Sequence, residues 1–342
     1  MHSGRDQVSE LGACILGVEG LHLTKREQRL YARVAPFGFI LFGRNIDTAA
    51  QVRSLCAELR DAAGHDAPIL IDQEGGRVQR LRPPLGREWL PPLEEVERAG
   101  ARAEDAMYTR YRLIAHELLD LGIDANCAPL VDVAESHTHP FLLNRCYGRD
   151  AHTVAQLGRA VANGLLDGGV LPVVKHMPGH GRAVVDSHFD LPTVEADPED
   201  LRKIDFAPFK ALNDLPLGMT GHLVFSAFDH RPSTISSKVM GLIRNEIGFD
   251  GLIMTDDISM KALQGDLGEL SAASRSAGCD VVLHCNGQFE EMVVVADASG
   301  TLSGRPLDRA HRALATRRSP VEVDISELEA KLAELSHGRG HV

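Results

Sequence analysis

The sequence predicts an α/β fold, a closed (β/α)8 barrel of the TIM type formed by a single domain. Short apolar runs alternate with amphipathic helical segments along the chain, which is typical of parallel strands joined by helical crossovers. Polar residues follow several of these runs directly, as they do at the mouth of a barrel. The 342 residues contain no linker or low-complexity segment. We therefore expect one domain over 1–342, with its core at about 10–300 and C-terminal helices at 301–336.

Eight apolar runs are the predicted barrel strands. They are Ala13–Gly17, Gly38–Phe42, Pro68–Ile71, Ala128–Val133, Val170–Val174, Gly218–Val224, Gly251–Thr255 and Cys279–Leu283. Near-continuous apolar composition is expected of parallel strands that are buried on both faces.

The segments between these runs predict helices, because their apolar residues recur at helical spacing. The clearest are Asp47–Ala62, a helix with Met107 to Leu118 on its apolar face, Ala151–Leu166, Ser236–Ile247, Ser271–Ala277 and a last helix with Leu328, Leu332 and Leu335 on one stripe. Another helix is expected after Thr24, which with Glu27 forms a capping-box pattern.

The composition excludes several classes of protein. A formal net charge of -12 argues against general nucleic-acid binding. The six cysteines are scattered without a Cys-x-x-Cys pair, which predicts reduced thiols in a cytoplasmic protein. The first ten residues are polar, and no run of eighteen apolar residues occurs, so we expect neither export nor a membrane span.

Chemistry-bearing side chains follow five of the predicted strands. They are Asp72 and Arg80 after the third strand, Arg145 after the fourth, Lys175, His176, Asp186 and His188 after the fifth, His222 after the sixth and Asp256 after the seventh. The stretch from Lys175 to His188 is the densest, with several glycines and histidines directly after a buried strand. Such loops tend to carry function, so we expect the active site there.

Asp256 is the strongest single candidate. A carboxylate at the end of a barrel strand can act as a nucleophile at an anomeric carbon. Aspartate is also a preferred helix N-cap, and Asp256 and Asp257 could divide the two roles.

Asp186 and His188 are two residues apart, so in an extended segment they share a face. A carboxylate beside an imidazole orients it and raises its pKa, which favours a general acid/base; the alternative is a local loop hydrogen bond.

Lys175 and His176 allow three interpretations. They could bind substrate hydroxyls, Lys175 could form a Schiff base, or His176, His180 and His188 could bind a metal. The histidines lack an ordinary metal-ligand spacing, and a lysine beside a histidine and glycines favours hydroxyl binding. Gly75 and Gly76 match no phosphate-loop motif and are interpreted as a tight turn.

Three separated motifs closely resemble glycoside hydrolase family 3, and within it the single-domain bacterial β-N-acetylglucosaminidases of the NagZ type. The motifs are Ile71-Asp72-Gln73-Glu74-Gly75-Gly76-Arg77-Val78-Gln79-Arg80, Lys175-His176-Met177-Pro178-Gly179-His180-Gly181 with Asp186-Ser187-His188, and Thr255-Asp256-Asp257-Ile258-Ser259-Met260. The resemblance extends over about residues 10–300. Two positions depart from the family pattern: Met177 replaces a usual phenylalanine or isoleucine, and Gly221 a common alanine.

The resemblance implies a TIM-type barrel and a retaining glycosidase. It makes Asp256 the nucleophile and His188 the general acid/base on a mobile loop, with Asp186 orienting His188. It assigns sugar binding to the residues that follow the other strands. These are Asp72, Arg80, Arg145, Lys175 and His176. His222 is a further candidate for substrate binding, because it follows the sixth predicted strand.

The implied reaction is removal of terminal β-linked GlcNAc from peptidoglycan fragments, GlcNAc-1,6-anhydro-MurNAc with or without peptide, during cell-wall recycling. No metal or organic cofactor is expected, and the expected partner is this small carbohydrate, bound by a cytoplasmic monomer without nucleic acid or membrane. The alternatives are a broader β-glycosidase or a phosphorylase of the same family and, from another class, a Schiff-base aldolase that uses Lys175.

Overall fold

The chain folds into a closed barrel of parallel strands, seen here in a computed structural model that describes residues 10–184 and 190–336. In these residues the barrel strands are β1 Gly12–Gly17, β2 Pro36–Leu41, β3 Ile69–Ile71, β4 Ala125–Asn126, β5 Leu171–Met177, β6 Leu217–Thr220, β7 Leu252–Asp257 and β8 Val281–His284. Each pairs in parallel with its neighbours in chain order, and β8 pairs with β1 to close the barrel. The predicted TIM-type fold is confirmed.

The longer helices follow the strands, as expected for crossovers. They are Lys25–Val34, Ala49–Ala63, Pro92–Ala99, Ala103–Asp120, Ala151–Asp167, Leu267–Ala277, Phe289–Ser299, Arg305–Ala315 and Ile325–Ser336. Shorter helical segments are Gly43–Asn45, Gly100–Arg102, Pro140–Leu143, Pro198–Asp200, Leu201–Asp205, Ala207–Ala211, Ser233–Ile235, Ser237–Leu242 and Ile243–Ile247. The predicted capping box is present: Thr24 Oγ1 accepts the Glu27 N–H, and the Glu27 carboxylate accepts the Thr24 N–H at 2.8 Å.

Two small sheets lie outside the barrel. Gln73–Gly75 and Val78–Gln79 form an antiparallel hairpin directly after β3, and Thr193–Val194 pairs in parallel with Val224–Phe225. The predicted tight turn at Gly75 and Gly76 is confirmed, because both have positive φ, at 110° and 58°. This hairpin carries the chain back over the barrel mouth.

The fourth strand was predicted too late in the chain. The regular ladder is at Ala125–Asn126, three residues before the predicted start at Ala128. Pro129 has no N–H and so cannot continue a ladder. The backbone beyond it still follows β5 irregularly, since Val131 N–H donates to the Lys175 carbonyl at 2.9 Å.

The other strand predictions are correct in position but not in length. The fifth strand extends past the apolar run to Met177, so Lys175 and His176 belong to the strand and not to the loop after it. The sixth ends at Thr220, before His222. The apolar run underestimates β5 because the last residues of a barrel strand face the site and are polar.

Two apolar layers hold the fold together. One lies between strands and helices, and the other fills the barrel interior with side chains such as Ile15, Leu70, Val173 and Met254. Helix Arg305–Ala315 contributes Ala310 and Ala313 to the interior cluster and closes the N-terminal end of the barrel. The interior is therefore open only at the end where the strands finish.

All six cysteines are unpaired, as the sequence predicts, and five of them are buried. Within residues 10–184 and 190–336, no helix has the length and apolar character needed to cross a bilayer.

Candidate active site

A pocket of about 250 Å³ opens at the C-terminal ends of the barrel strands. Its floor is apolar and belongs to the barrel interior, with Ile40, Met219 and Leu283. Its wall includes apolar side chains such as Phe141 and Leu142. The polar side chains of the wall are Asp72, Arg77, Arg80, His139, Arg145, Lys175, His176, His180 and Asp256. The structure thus brings together six residues that the sequence indicated separately, namely Asp72, Arg80, Arg145, Lys175, His176 and Asp256.

A buried ion-pair network forms one side of the pocket. Lys175 Nζ lies 3.1 Å from Asp72 Oδ1 and 2.5 Å from Glu74 Oε1. The Arg145 guanidinium donates to both oxygens of Glu74, at 2.9 and 2.8 Å. Arg80 Nη2 donates to Asp72 Oδ2 at 2.9 Å. The network joins the ends of β3 and β5 and the connection after β4, and it holds three cations against two carboxylates.

The charges of this network reinforce one another. Burial raises the pKa of Glu74, but Arg145 and Lys175 outweigh burial and lower it to about 2. Burial also raises the pKa of Asp72, yet Lys175 and Arg80 hold it well below its usual range. Burial lowers the pKa of Lys175, and the two carboxylates raise it above its ordinary value by a larger amount. Lys175 is therefore a protonated ammonium.

Asp132 anchors the histidine side of the pocket. Its Oδ2 lies 2.7 Å from His176 Nδ1, and its Oδ1 accepts the backbone N–H groups of His176 and His180, at 3.2 and 2.7 Å. Asp132 is fully buried, and burial raises its pKa, but His176 and His180 together bring the pKa below its ordinary value. An ionised Asp132 accepts the proton of Nδ1, which leaves His176 Nε2 for the pocket.

Asp256 stands near the end of β7 and lines the pocket. Its Oδ1 accepts the N–H of Asp257 at 2.8 Å. Burial raises the pKa of Asp256, but His176, this N–H and Lys175 bring it below its ordinary value. Asp257 instead accepts the N–H of Ser259 and of Cys285, at 3.1 Å each. Asp257 thus stabilises the turn after β7 and does not cap a helix, while the nucleophilic role of Asp256 stays a prediction.

His222 does not line the pocket, contrary to the expectation of a sugar contact. It is fully buried, and Nε2 donates to the Asp257 carbonyl at 2.9 Å while Nδ1 accepts from the Thr234 hydroxyl at 2.7 Å. Burial lowers the pKa of His222, which suits this neutral form. Its two ring nitrogens are thus occupied by the protein, and it braces the end of β6 against β7.

Asp186 and His188 lie outside the described residues. The residues before them form the first part of the loop expected to be mobile, Gly179 to Asp190, and they make several contacts with the rest of the protein. The Thr138 hydroxyl donates to the Gly181 carbonyl at 2.5 Å, and Arg182 Nε donates to Asp205 at 2.7 Å. A Cβ at Gly181 would lie only 1.8 Å from the Val133 carbonyl oxygen. These contacts define the path of the chain from Gly181 to Arg182, and the mobility of the loop stays a prediction.

Comparison with known proteins identifies the family of the chain. The model of the glycosyl hydrolase family 3 N terminal domain matches residues 13–316. The chain belongs to glycoside hydrolase family 3. It is 34% identical to a "Beta-hexosaminidase" of Alkalilimnicola ehrlichii over 283 residues, 81% of each chain, and 32% identical to one of Tolumonas auensis over 90% of this chain and 91% of that one. The predicted glycoside hydrolase is thus confirmed.

Solved structures of family 3 enzymes share the whole barrel. NagZ from Neisseria gonorrhoeae, in complex with N-trifluoroacetyl-D-glucosamine, superposes with a TM-score of 0.84 at 29% identity and covers 96% of this chain and 98% of its own. A family 3 β-N-acetylglucosaminidase from Paenibacillus superposes with a TM-score of 0.82 at 32% identity, over 95% of this chain and 67% of its own.

Three residues of this family 3 site were missed from the sequence as functional candidates. Asp132 was treated as a strand residue, although it follows the apolar pair Leu130-Val131 just as Asp256 follows an apolar run. The sequence gives Glu74 no role beyond its place in the family motif, and it indicates His180 only as a metal ligand. A local pattern, a carboxylate directly after an apolar pair, indicates Asp132. Glu74 has no such pattern, because its partners come from distant parts of the chain.

Asp132→Asn should lower kcat/KM roughly 10–100-fold on any glycoside that the wild type cleaves. An amide NH₂ that faces Nδ1 favours the wrong tautomer of His176 and leaves a polar group unpaired, at a cost of about 1–3 kcal/mol. Steady-state kinetics measure this, with Asp266→Asn, at an exposed helix N-cap, as the matched control. Unchanged kcat/KM in a folded Asp132→Asn enzyme would mean that Asp132 does not position His176.

Glu74 should also make the stability of the fold depend on pH in the acid range. Its pKa is lower in the folded than in the unfolded chain, so its stabilisation is present above about pH 4.5 and is lost as the pH falls towards about 2. Glu74→Gln should therefore be less stable near neutral pH and lose less stability over that interval. Urea unfolding at several pH values tests this, with exposed Glu322→Gln as control; parallel pH profiles for Glu74→Gln and wild type would contradict it.

Proposed function

We propose that this family 3 glycoside hydrolase is a retaining exo-β-N-acetylglucosaminidase with Asp256 as its nucleophile. The observation that carries the proposal is the contrast among the pocket carboxylates. Asp72 and Glu74 are each held by two cations, whereas Asp256 forms no ion pair within 4.0 Å in residues 10–184 and 190–336. An ionised carboxylate at a strand end with an oxygen left over for the substrate suits attack on an anomeric carbon.

The dimensions of the pocket favour an exo-acting enzyme. Its volume of about 250 Å³ lies below the roughly 300–1,000 Å³ of pockets for drug-sized ligands. Within residues 10–184 and 190–336, the barrel interior beneath the pocket is packed with apolar side chains and leaves no exit on that side. A pocket with one opening suits a terminal sugar, with the leaving group directed towards solvent.

The ion-pair network supplies the sugar-binding groups of the proposal. The pocket is lined by donors and acceptors whose positions are already set by protein partners: Asp72, Arg80, Arg145 and Lys175 by the network, and His176 by Asp132. Hydroxyl groups that meet such prearranged partners need little reorganisation on binding. The curated relatives bear the name β-hexosaminidase, and one solved relative holds an N-acylated glucosamine, which supports an N-acetylglucosamine glycone.

The proposed mechanism has two steps. Asp256 attacks the anomeric carbon as the glycosidic bond breaks, and His188, oriented by Asp186, gives its proton to the leaving oxygen. His188 then takes a proton from water, whose oxygen attacks the anomeric carbon and releases Asp256. The roles of His188 and Asp186 rest on the resemblance of their motif to the family.

The resemblance also defines the finer substrate of the proposal, GlcNAc-1,6-anhydro-MurNAc with or without peptide, in cell-wall recycling. Cytoplasmic location and a monomeric state remain predictions. The aldolase alternative fits less well, because a Schiff base requires an unprotonated amine and both neighbouring carboxylates keep Lys175 protonated. Absence of borohydride trapping with carbonyl substrates would agree with this.

The wild type should hydrolyse aryl β-GlcNAc much faster than aryl β-glucoside and gain no product as sugar phosphate when phosphate is added. Product analysis with and without phosphate distinguishes a hydrolase from a phosphorylase. Preference for the glucoside would contradict the proposed glycone, and phosphorolysis the proposed acceptor.

Asp256→Ala should reduce turnover by several orders of magnitude while the protein still folds, since the side chain lies in the pocket and not in the apolar core. A 2- or 5-fluoro sugar with a good leaving group should react with the wild type at Asp256, so that the leaving group departs and the enzyme gains the mass of the fluoroglycosyl group. Asp257→Ala is the neighbouring control; if it alone were inactive, or if no adduct formed, the assignment of Asp256 would fail.

His188→Ala should slow both steps, and the two losses should be rescued separately. An aryl leaving group of low pKa needs no proton and should restore the first step, and azide needs no deprotonation and should restore the second. Asp186→Asn should show a milder form of the same behaviour. Equal rate loss for good and poor leaving groups, untouched by azide, would show that His188 only binds substrate.

A further inference from the structure

His180 lines the pocket but has no role in the mechanism above. Its side chain comes from the segment directly after β5, and its ring centroid lies 5.6 Å from that of His176. Only 7% of the residue is exposed. A histidine so deeply buried in a polar pocket normally has hydrogen-bond partners on its ring.

The imidazole of His180 lacks them. Nδ1 is buried without a hydrogen-bond partner, and within the described residues Nε2 makes no hydrogen bond either. The contact with Asp132 uses the backbone N–H, not the ring. Since Nδ1 is enclosed by protein, Nε2 is the ring nitrogen that a ligand in the pocket can reach. An unpaired buried polar group costs stability, so a partner that arrives with the substrate would offset this cost.

The ring is uncharged at neutral pH. Burial and the neighbouring His176 lower the pKa of His180 to about 4, although Asp132 and Asp256 act in the opposite direction. A neutral imidazole with this pKa is a weak acid/base near pH 7 but a competent hydrogen-bond partner for an uncharged hydroxyl. It differs in this respect from the charged Lys175, Arg145 and Asp72 across the pocket.

The position of the ring is well defined. The backbone N–H of His180 is held by Asp132 at 2.7 Å, and the ring packs against Gly221. A Cβ at Gly221 would lie 3.1 Å from His180 Cδ2 and 3.2 Å from His176 Cβ, so the glycine leaves space for both histidines. The replacement of a common alanine by Gly221 thus falls where it relieves crowding around His180.

We propose that His180 is a further substrate-binding residue, whose Nε2 forms a hydrogen bond with a hydroxyl group of the terminal sugar. The proposal rests on the proposed glycosidase function and adds a neutral contact to the charged ones. His180 acts in binding and not in proton transfer.

Three substitutions, H180F, H180N and H180Q, separate the possible roles of the ring. H180F keeps a ring without nitrogens. The shorter amide of H180N reaches only the place of Nδ1, whereas the longer amide of H180Q reaches the place of Nε2. On the glycoside that the wild type cleaves best, H180F and H180N should lose about tenfold in kcat/KM, mainly through KM, and H180Q should stay within about threefold. Exposed His311→Ala is the control and should match the wild type.

Monodeoxy aryl glycosides then identify the bonded hydroxyl. For one of them the penalty of H180F should disappear, because substrate and enzyme each lack one partner of the same hydrogen bond. The melting temperature of H180F should not fall, since the substitution removes an unpaired buried nitrogen.

Several results would overturn the role of His180 without affecting the proposed function. They are wild-type kcat/KM in folded H180F, a penalty that persists with every deoxy sugar, or the loss of an ionisation between pH 5 and 8 from the kcat/KM profile. Failure of the wild type to cleave aryl β-GlcNAc would instead reject the proposed glycone, and the same variants would then be compared on its preferred glycoside.

Discussion

The placement of Lys175 between two buried carboxylates is the interaction on which the site depends. Its ammonium, 2% exposed, could not remain charged at this depth without Asp72 and Glu74. The carboxylates likewise require the cations around them. Because the partners come from different strand ends, the network can form only when β3, β4 and β5 have paired side by side. The stability of the charged network is therefore coupled to the pairing of these three strands.

The two sides of the pocket use different chemistry. One side is an ionic network whose members neutralise one another, and the other is formed by His176 and His180 around the carboxylate of Asp132. Asp256 lies within the electrostatic influence of both, since His176 and Lys175 each lower its pKa. The carboxylate of Asp256 is thus kept ionised without forming a salt bridge, which is the condition for nucleophilic attack.

Much of the fold and part of the site could be predicted from the sequence. The rule that strand ends carry the active site is a consequence of barrel topology, so Asp72, Lys175 and Asp256 were found without knowledge of their neighbours. The apolar-run criterion failed where strand residues are polar, at the end of β5, and where proline interrupts a ladder, at Pro129.

The role of His222 could not be predicted for a different reason. Its position just after β6 predicts a place near the barrel mouth. Whether the buried ring of His222 faces the pocket or the protein interior depends on its partners Thr234 and the Asp257 carbonyl. Such pairings arise from tertiary packing and leave no local pattern. The same holds for Glu74, whose partners Arg145 and Lys175 are 71 and 101 positions away in the sequence.

The closed lower end of the barrel has a kinetic consequence for the proposed reaction. Among residues 10–184 and 190–336, helix Arg305–Ala315 and the packed interior close the barrel below the pocket, so a bound sugar leaves through the mouth by which it entered. The leaving group must therefore depart before water reaches the glycosyl-enzyme, and the free monosaccharide is the last species to leave. Released monosaccharide competes with new substrate for the same opening, so the enzyme is expected to slow as its product accumulates.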